Sequence, residues 1–455
     1  MWRALIFSAS SLALAACVSG TSFPTTMLEQ AEAETKLRKE IDTLSTYAIA
    51  KYAGLTENPQ TSARNYSRLL RTVKDDPWVA EQGVFSVLRI GEVERAIKMA
   101  KRLPKTTLDR TELPRLLLSV DALERGEKAE ALSYLNQPWS NDYHAMLARS
   151  LVAWTMLEDD PEAAITLQQQ AGGGDGLYTL MGQTLAALMK ANSGDEEGAR
   201  QDLAQLWAIK ARLALGVETE ARLMALAGEE ELALQRLKRF RTDVGRHPAL
   251  MRLARDIRQD QVAPLPAFSA AEGTALAFYI ATAPQASQDY GDIPGVYFAL
   301  AVYLDPDLDA AKALWADALD RADRRQEAIE LLESIPNTSV HHTSAQGQLA
   351  WALRREGRDA EALTLARATL EQTDNRNIRV QLADLLQSLG RDGEAEDTFT
   401  DIIEADEAAG EYDWRIYYAR GGARERQGEW PPAENDLKTA MNLKPDDPTI
   451  MNYLG

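Results

Sequence analysis

Residues 414–447 read WRIYYARGGARERQGEWPPAENDLKTAMNLKPDD, and the internal order of this stretch decides the fold. Tyr417 and Gly421 belong to a first helix, Gly428-Glu429-Trp430 to a turn, Ala433 and Leu437 to one face of a second helix, and Pro445 closes the unit. A helix-to-helix turn this tight needs a left-handed residue, which glycine adopts freely and aspartate tolerates better than most side chains.

The same order recurs along the chain. Alanines stand at Ala96, Ala131, Ala164, Ala199 and Ala233, spaced 35, 33, 35 and 34 residues, and again at Ala328, Ala362, Ala395 and Ala433, spaced 34, 33 and 38. Five residues before each stands Gly91, Gly126, Asp159, Gly194, Gly228, Asp323, Gly357, Gly390 or Gly428. One helical turn after each alanine comes Ala100, Leu135, Gln168, Leu203, Leu237, Leu332, Ala366, Phe399 or Leu437, of which only Gln168 is polar.

A period near 34 residues with Gly at the turn and Ala-x-x-x-apolar on the second helix resembles the tetratricopeptide repeat. That resemblance implies an all-α, right-handed α-solenoid of helix-turn-helix units that binds other proteins. The copy at 414–447 departs from the family pattern at Arg420 and Arg424, where the repeat has Leu and Tyr. Between Ala233 and Ala328 there is room for two units that have lost the motif, the second ending at Leu304-Asp305-Pro306. Val262-Ala263-Pro264-Leu265-Pro266 cannot lie inside a helix, because two prolines remove donors and clash with the preceding turn. The expected organisation is an N-terminal array over 31–260, a Pro-containing joint over 261–274 and a C-terminal array over 275–455. The unit after Pro445 reaches its own Leu454-Gly455 pair where the sequence stops, so the last repeat reads as cut short or covered by a partner.

Composition agrees with helices. Hydrophobic residues make up 45% of the 455 residues but aromatics only 7%, so packing relies on Leu and Ala. The net charge of −19 opposes phosphate binding over the whole surface and argues against a nucleic-acid partner.

Met1-Trp2-Arg3 followed by the apolar run from Ala4 to Ala13 reads as a processing signal too short to span a bilayer. Leu14-Ala15-Ala16-Cys17 resembles the bacterial lipobox, and Cys17 is the only cysteine. The resemblance implies a signal peptide over 1–16, acylation of Cys17 and a tether over 17–30. Several acyl chains give stable anchoring where one does not. Val18 in place of an aspartate implies residence on the periplasmic face of the outer membrane.

Catalytic chemistry is not legible. There is no Gly-x-Ser-x-Gly, no His-Glu-x-x-His, and no Gly-Lys-Ser/Thr to turn Gly172–Gly176 into a phosphate loop. His341-His342 lacks a third ligand at suitable spacing and reads as loop after Ile335-Pro336-Asn337. Residues 391–413 carry ten acids and one base, the pattern of a solvated helix face. No enzyme activity, metal or cofactor is expected.

Tetratricopeptide arrays bind partners on a concave groove lined by the first helix of each unit. Here Trp351, Arg354 and Arg355 of one unit, with Arg321 and Arg426 of flanking units, are the candidate protein-binding residues, since Trp and Arg dominate interface energetics. The Lys and Asn with which some family members clamp a terminal carboxylate are replaced by Ala313 and Asp317, Gly347 and Trp351, Val380 and Asp384, and Tyr418 and Gly422. The expectation is a non-enzymatic, lipid-anchored scaffold in cell-envelope assembly; the alternative is an accessory protein in polysaccharide or peptidoglycan export.

Overall fold

A computed structural model of the chain describes residues 27–56, 58–171, 176–207, 212–245, 247–286, 293–373, 375–445 and 447–454. The signal over 1–16, Cys17 and most of the expected tether, Gly172–Asp175 and Gly455 lie outside them. Residues 27–30, expected to belong to the tether, are part of the first helix. Among the described residues the protein is all-α, with no strand.

The helices run α1 (Met27–Leu55), α2 (Pro59–Leu69), α3 (Pro77–Arg89), α4 (Val93–Ala100), α5 (Lys105–Leu108), α6 (Leu113–Glu124), α7 (Lys128–Ser133), α8 (Asp142–Met156) and α9 (Pro161–Gln169). They continue with α10 (Leu177–Asn192), α11 (Glu196–Leu206), α12 (Ala214–Leu226), α13 (Glu230–Asp243) and α14 (Pro248–Arg258). After an extended stretch come α15 (Ala270–Ala286), α16 (Ile293–Leu304), α17 (Asp309–Arg321), α18 (Arg325–Glu333), α19 (His342–Arg355) and α20 (Asp359–Thr373). The last are α21 (Arg376–Ser388), α22 (Asp392–Ala408), α23 (Trp414–Arg426), α24 (Trp430–Leu443) and α25 (Pro448–Leu454).

Consecutive helices pack as antiparallel hairpins, and the sequence period explains why. All nine recurring alanines are 0% exposed, since only a methyl group fits where the second helix of a hairpin crosses the first. The seven glycines before them have φ between 70° and 89°, and Asp323 adopts the same conformation at 62°. Asp159 is the exception and keeps negative φ; the Asp160 carboxylate instead caps α9 by accepting from Ala163 N at 3.1 Å. Gly421 has the close approach its place in the repeat demands, since a β-carbon there would lie 3.1 Å from Leu437 Cγ and 3.2 Å from the Ala433 carbonyl. Arg420 and Arg424, the two departures from the apolar pattern, both donate to Asp436, which is buried on the second helix of that unit.

The linear two-array organisation is modified at its centre. Residues 261–269 are non-helical, as the prolines require. Of the two lost units expected between the arrays, the described residues hold a single helix, α14, packed on α12 and α13, and one hairpin, α15–α16. That hairpin leads into the second array, with α16 packed on α17, and it also lies on the first: α15 packs on α8, α10 and α6, and α16 on α6, α3 and α4. One apolar core joins residues between Ala63 and Met189 to residues between Ala275 and Ala311, a separate one holds Trp207 to Ile257, and the second array has its own from Ala313 to Ile450.

Candidate protein-binding groove

The first helix of each unit in the N-terminal array is α3, α6, α8, α10 or α12, and the first four of these line the surface on which α15 and α16 lie. The groove of that array is thus filled from within. Helix α16, IPGVYFALAVYL, is apolar on all sides and buries every residue from Pro294 to Val302. Gly273 of α15 lies flat on Trp154, where a β-carbon would come within 2.1 Å of the indole ring. Polar ties set the register of the hairpin. His144 Nε2 meets the Tyr297 hydroxyl at 2.8 Å, Tyr143 and Thr282 share a hydrogen bond of 2.6 Å, and the Tyr303 hydroxyl donates to Asp121 at 3.2 Å. Asn192 brackets the entering chain, accepting from Phe268 N at 2.7 Å and donating to its carbonyl at 3.2 Å.

In the C-terminal array the first helices α17, α19 and α21 leave an open cleft of about 200 Å³, lined by Asp317, Asp320, Leu332, Gln348, Trp351, Arg355 and Gln381 among others. Helical spacing puts Gln348, Trp351 and Arg355 on one face of α19 and Gln381 with Asp384 on one face of α21. Trp351 is half-buried, with part of its ring against the core and the rest on the cleft. Arg355 forms an ion pair with Asp320, whose carboxylate also lies 3.7 Å from Arg325. The side-chain oxygens of Gln348 and Gln381, two residues that line this cleft, are buried without a hydrogen-bond partner among the described residues. Gly347 lets the Gln381 amide approach the α19 backbone, since a β-carbon there would sit 1.8 Å from Gln381 Oε1. Burial alone pushes the Asp384 carboxyl up to about 6.

The structure separates the five candidate groove residues. Trp351 and Arg355 line the cleft, and Arg321 pairs on its own helix with Asp317 at the cleft wall. Arg354 instead donates to Asp359 at 3.2 Å and to the Ser388 carbonyl at 3.0 Å, and Arg426 donates to Asp392 at 2.8 Å. Both tie one unit to a neighbouring turn. Sequence reasoning passed over Gln348, Gln381 and Asp320, which carry no compositional signal beyond their place on the first helices.

His342 is not loop, because it opens α19, with Nδ1 3.0 Å from the Ile335 carbonyl; the His341 ring is instead close enough to His247 to feel its charge. Among the described residues no group of three or more His, Cys, Asp or Glu is placed to hold a metal ion, and no helix is long and apolar enough to cross a membrane.

No protein-family description matches the chain, and no curated protein matches it. Among solved structures it is similar in fold to the Cut9–Hcn1 hetero-tetramer of the APC/C, at 13% identity over 89% of this chain and 88% of that one, with a TM-score of 0.33. Yeast Tom70 gives 13% identity, 90% and 93% coverage and a TM-score of 0.31. The TPR domain of P58(IPK) gives 14%, 77%, 99% and 0.23. With TM-scores this low, the repeat architecture rests on the hairpins, left-handed turns and buried alanines of this chain itself, which form an all-α solenoid of tetratricopeptide-like units.

Proposed function

We propose that the protein is a non-enzymatic adaptor. It takes a segment of a partner protein in the groove of its C-terminal array and is held by acylated Cys17 on the periplasmic face of the outer membrane. The observation that carries the binding half is the asymmetry between the arrays: α15 and α16 fill the first groove, while the cleft around Trp351 stays open with an aromatic face and two buried amide acceptors, and the desolvated Asp384 carboxylate stands one helical turn along α21 from Gln381. Such a surface suits an extended segment that offers backbone N–H groups to Gln348 and Gln381 and a Lys or Arg to Asp384. The anchoring half is supported by the lipobox-like sequence ending at the sole cysteine.

A photoreactive residue at position 351 tests the first half, with the same probe at Arg367 of α20 as comparison. Specific crosslinks from 351 that Gln348→Ala with Gln381→Ala removes are expected. Equal labelling from both positions would place binding elsewhere. Acyl-chain labelling of the producing bacterium tests the second half; label that persists in Cys17→Ala would refute it.

A further inference from the structure

Helix α1 is 29 residues long and α2, against which it packs, only 11, or about 44 Å against about 17 Å. Among the described residues the overhang is left uncovered, for every residue from 31 to 41 is exposed and the first tie to α2 is the ion pair of Asp42 with Arg68 at 2.8 Å. Isolated helices of this length are marginal in water, so a free overhang needs a partner to stay helical. The inner side of α1 packs normally, with Thr46, Ala50 and Ala53 buried and Ser62 Oγ donating to the Ala50 carbonyl at 3.0 Å.

On the opposite side runs a second apolar seam. Leu37, Ile41, Leu44, Tyr52 and Leu55 are each half or more exposed, and with Ala48 they fall within an arc of about 80° at 100° per residue. The steps from 37 to 48 are four, three and four residues, the 3.5-residue repeat of a seam between two helices, and narrower than the face of a helix lying on a bilayer. Residues 31–56 hold four acids (Glu32, Glu34, Glu40, Asp42) and four bases (Lys36, Arg38, Lys39, Lys51), so no net positive charge draws this helix to anionic lipid.

We propose that this seam pairs with the same seam of a second copy of the chain, antiparallel about a two-fold axis. The seam is self-complementary in that sense and not in the parallel one. With Leu37 opposite Leu55 of the second copy, Leu44 meets Ala48, large against small, and the aliphatic stem of Lys51 covers Ile41. Each of these contacts occurs twice, as an isologous interface requires. Parallel pairing would stack Lys51 on Lys51.

Sedimentation equilibrium of the chain from Val18 onward, which keeps every described residue, reads the association. A mass moving from one chain to two with concentration is expected, and Ile41→Glu with Leu44→Glu weakens the dimer about ten-fold or more while thermal unfolding of the arrays stays unchanged. Removing Cys17 leaves no cysteine, so a mixture of Leu37→Cys and Leu55→Cys chains reports orientation. Oxidation joins 37 to 55 in the proposed pairing. A mass of one chain at every concentration, or disulfides only within each variant, would overturn the proposal. So would binding of the monomer to phosphatidylethanolamine–phosphatidylglycerol vesicles that the double substitution abolishes, which gives the seam to lipid.

Discussion

The Tyr297 hydroxyl lies 2.8 Å from Nε2 of His144, closing a contact between residues 153 positions apart and joining the inserted hairpin to the array that encloses it. The other ring nitrogen is 3.0 Å from Glu112. Burial acts to raise the Glu112 carboxyl, but hydrogen bonds from Ser140 and His144 outweigh it and hold the group below its ordinary range. An ionised carboxylate only accepts, so Nδ1 carries a proton and donates it to Glu112. Tyr297→Phe leaves Nε2 buried and unpaired, and is expected to cost about 1–3 kcal/mol in chemical denaturation. No loss would mean that the hairpin is set by apolar packing alone.

A second expectation concerns the ion cluster that replaces apolar residues in the 414–447 unit. Asp436 is buried and takes two bonds from Arg420, at 2.9 and 2.7 Å, and one from Arg424 at 2.9 Å. Asp436→Ala strands the Arg420 guanidinium, while Arg424 keeps its ion pair with Glu396, and is expected to destabilise the C-terminal array by about 3–5 kcal/mol. Replacing all three residues by Leu is expected to recover most of that loss, because a buried ion cluster is costly to break rather than strongly stabilising. Urea unfolding of the single and triple variants decides between these.

The turns make a paired test. Asp323 holds the left-handed conformation that glycine holds at the other turns, at φ 62°. Asp323→Gly is expected to stabilise by about 1 kcal/mol, whereas Gly428→Ala, at φ 81° with open space around it, loses about 1–2 kcal/mol through backbone strain alone. Thermal unfolding that moved the same way for both would remove the left-handed turn as the reason for the recurring glycine.

Partner binding should weaken on acidification. Burial sets the Asp384 carboxyl at about 6, so it is ionised at pH 7.5 and protonated by pH 5. A cation in the groove binds the ionised form, and affinity falls as pH drops through 6. Asp384→Asn is expected to bind weakly at both values, without the pH slope. The folding linkage of the same group has the opposite sign. Its folded pKa is raised, so the native state binds the proton more tightly, and stability rises as pH falls from 7 to 5.

Two histidines oppose that trend. Burial lowers His247 and His341, and their mutual repulsion lowers His341 further. The native state then resists a proton that the unfolded chain accepts below about 6.5, so their contribution is lost as pH falls through that value. With His247→Gln and His341→Gln, native stability should fall less between pH 7 and 5 than in wild type, and an unchanged slope would rule the pair out.

How far the sequence reached can be judged from particular residues. The nine alanines and their turn residues were legible because packing of paired helices repeats a local geometry every 34 residues or so, and a local geometry leaves a local pattern. Trp351 and Arg355 were legible as groove residues by counting along that pattern. Arg354 and Arg426 were not separable from them, because a long side chain on a helix rim can turn toward the groove or toward a neighbouring turn, and Ser388, Asp359 and Asp392 decide which. A hint of the filled first groove was present in residues 293–304, which have no polar face and so must be covered all round.

The sequence by itself determined the helices, their turns and the pairing of neighbours, because each depends on residues within one repeat of each other. Only the tertiary structure decided which groove is open. That outcome depends on contacts such as Tyr297 with His144, formed when a hairpin distant in sequence enters an array already closed by local packing, and no short-range pattern encodes the choice of where it docks.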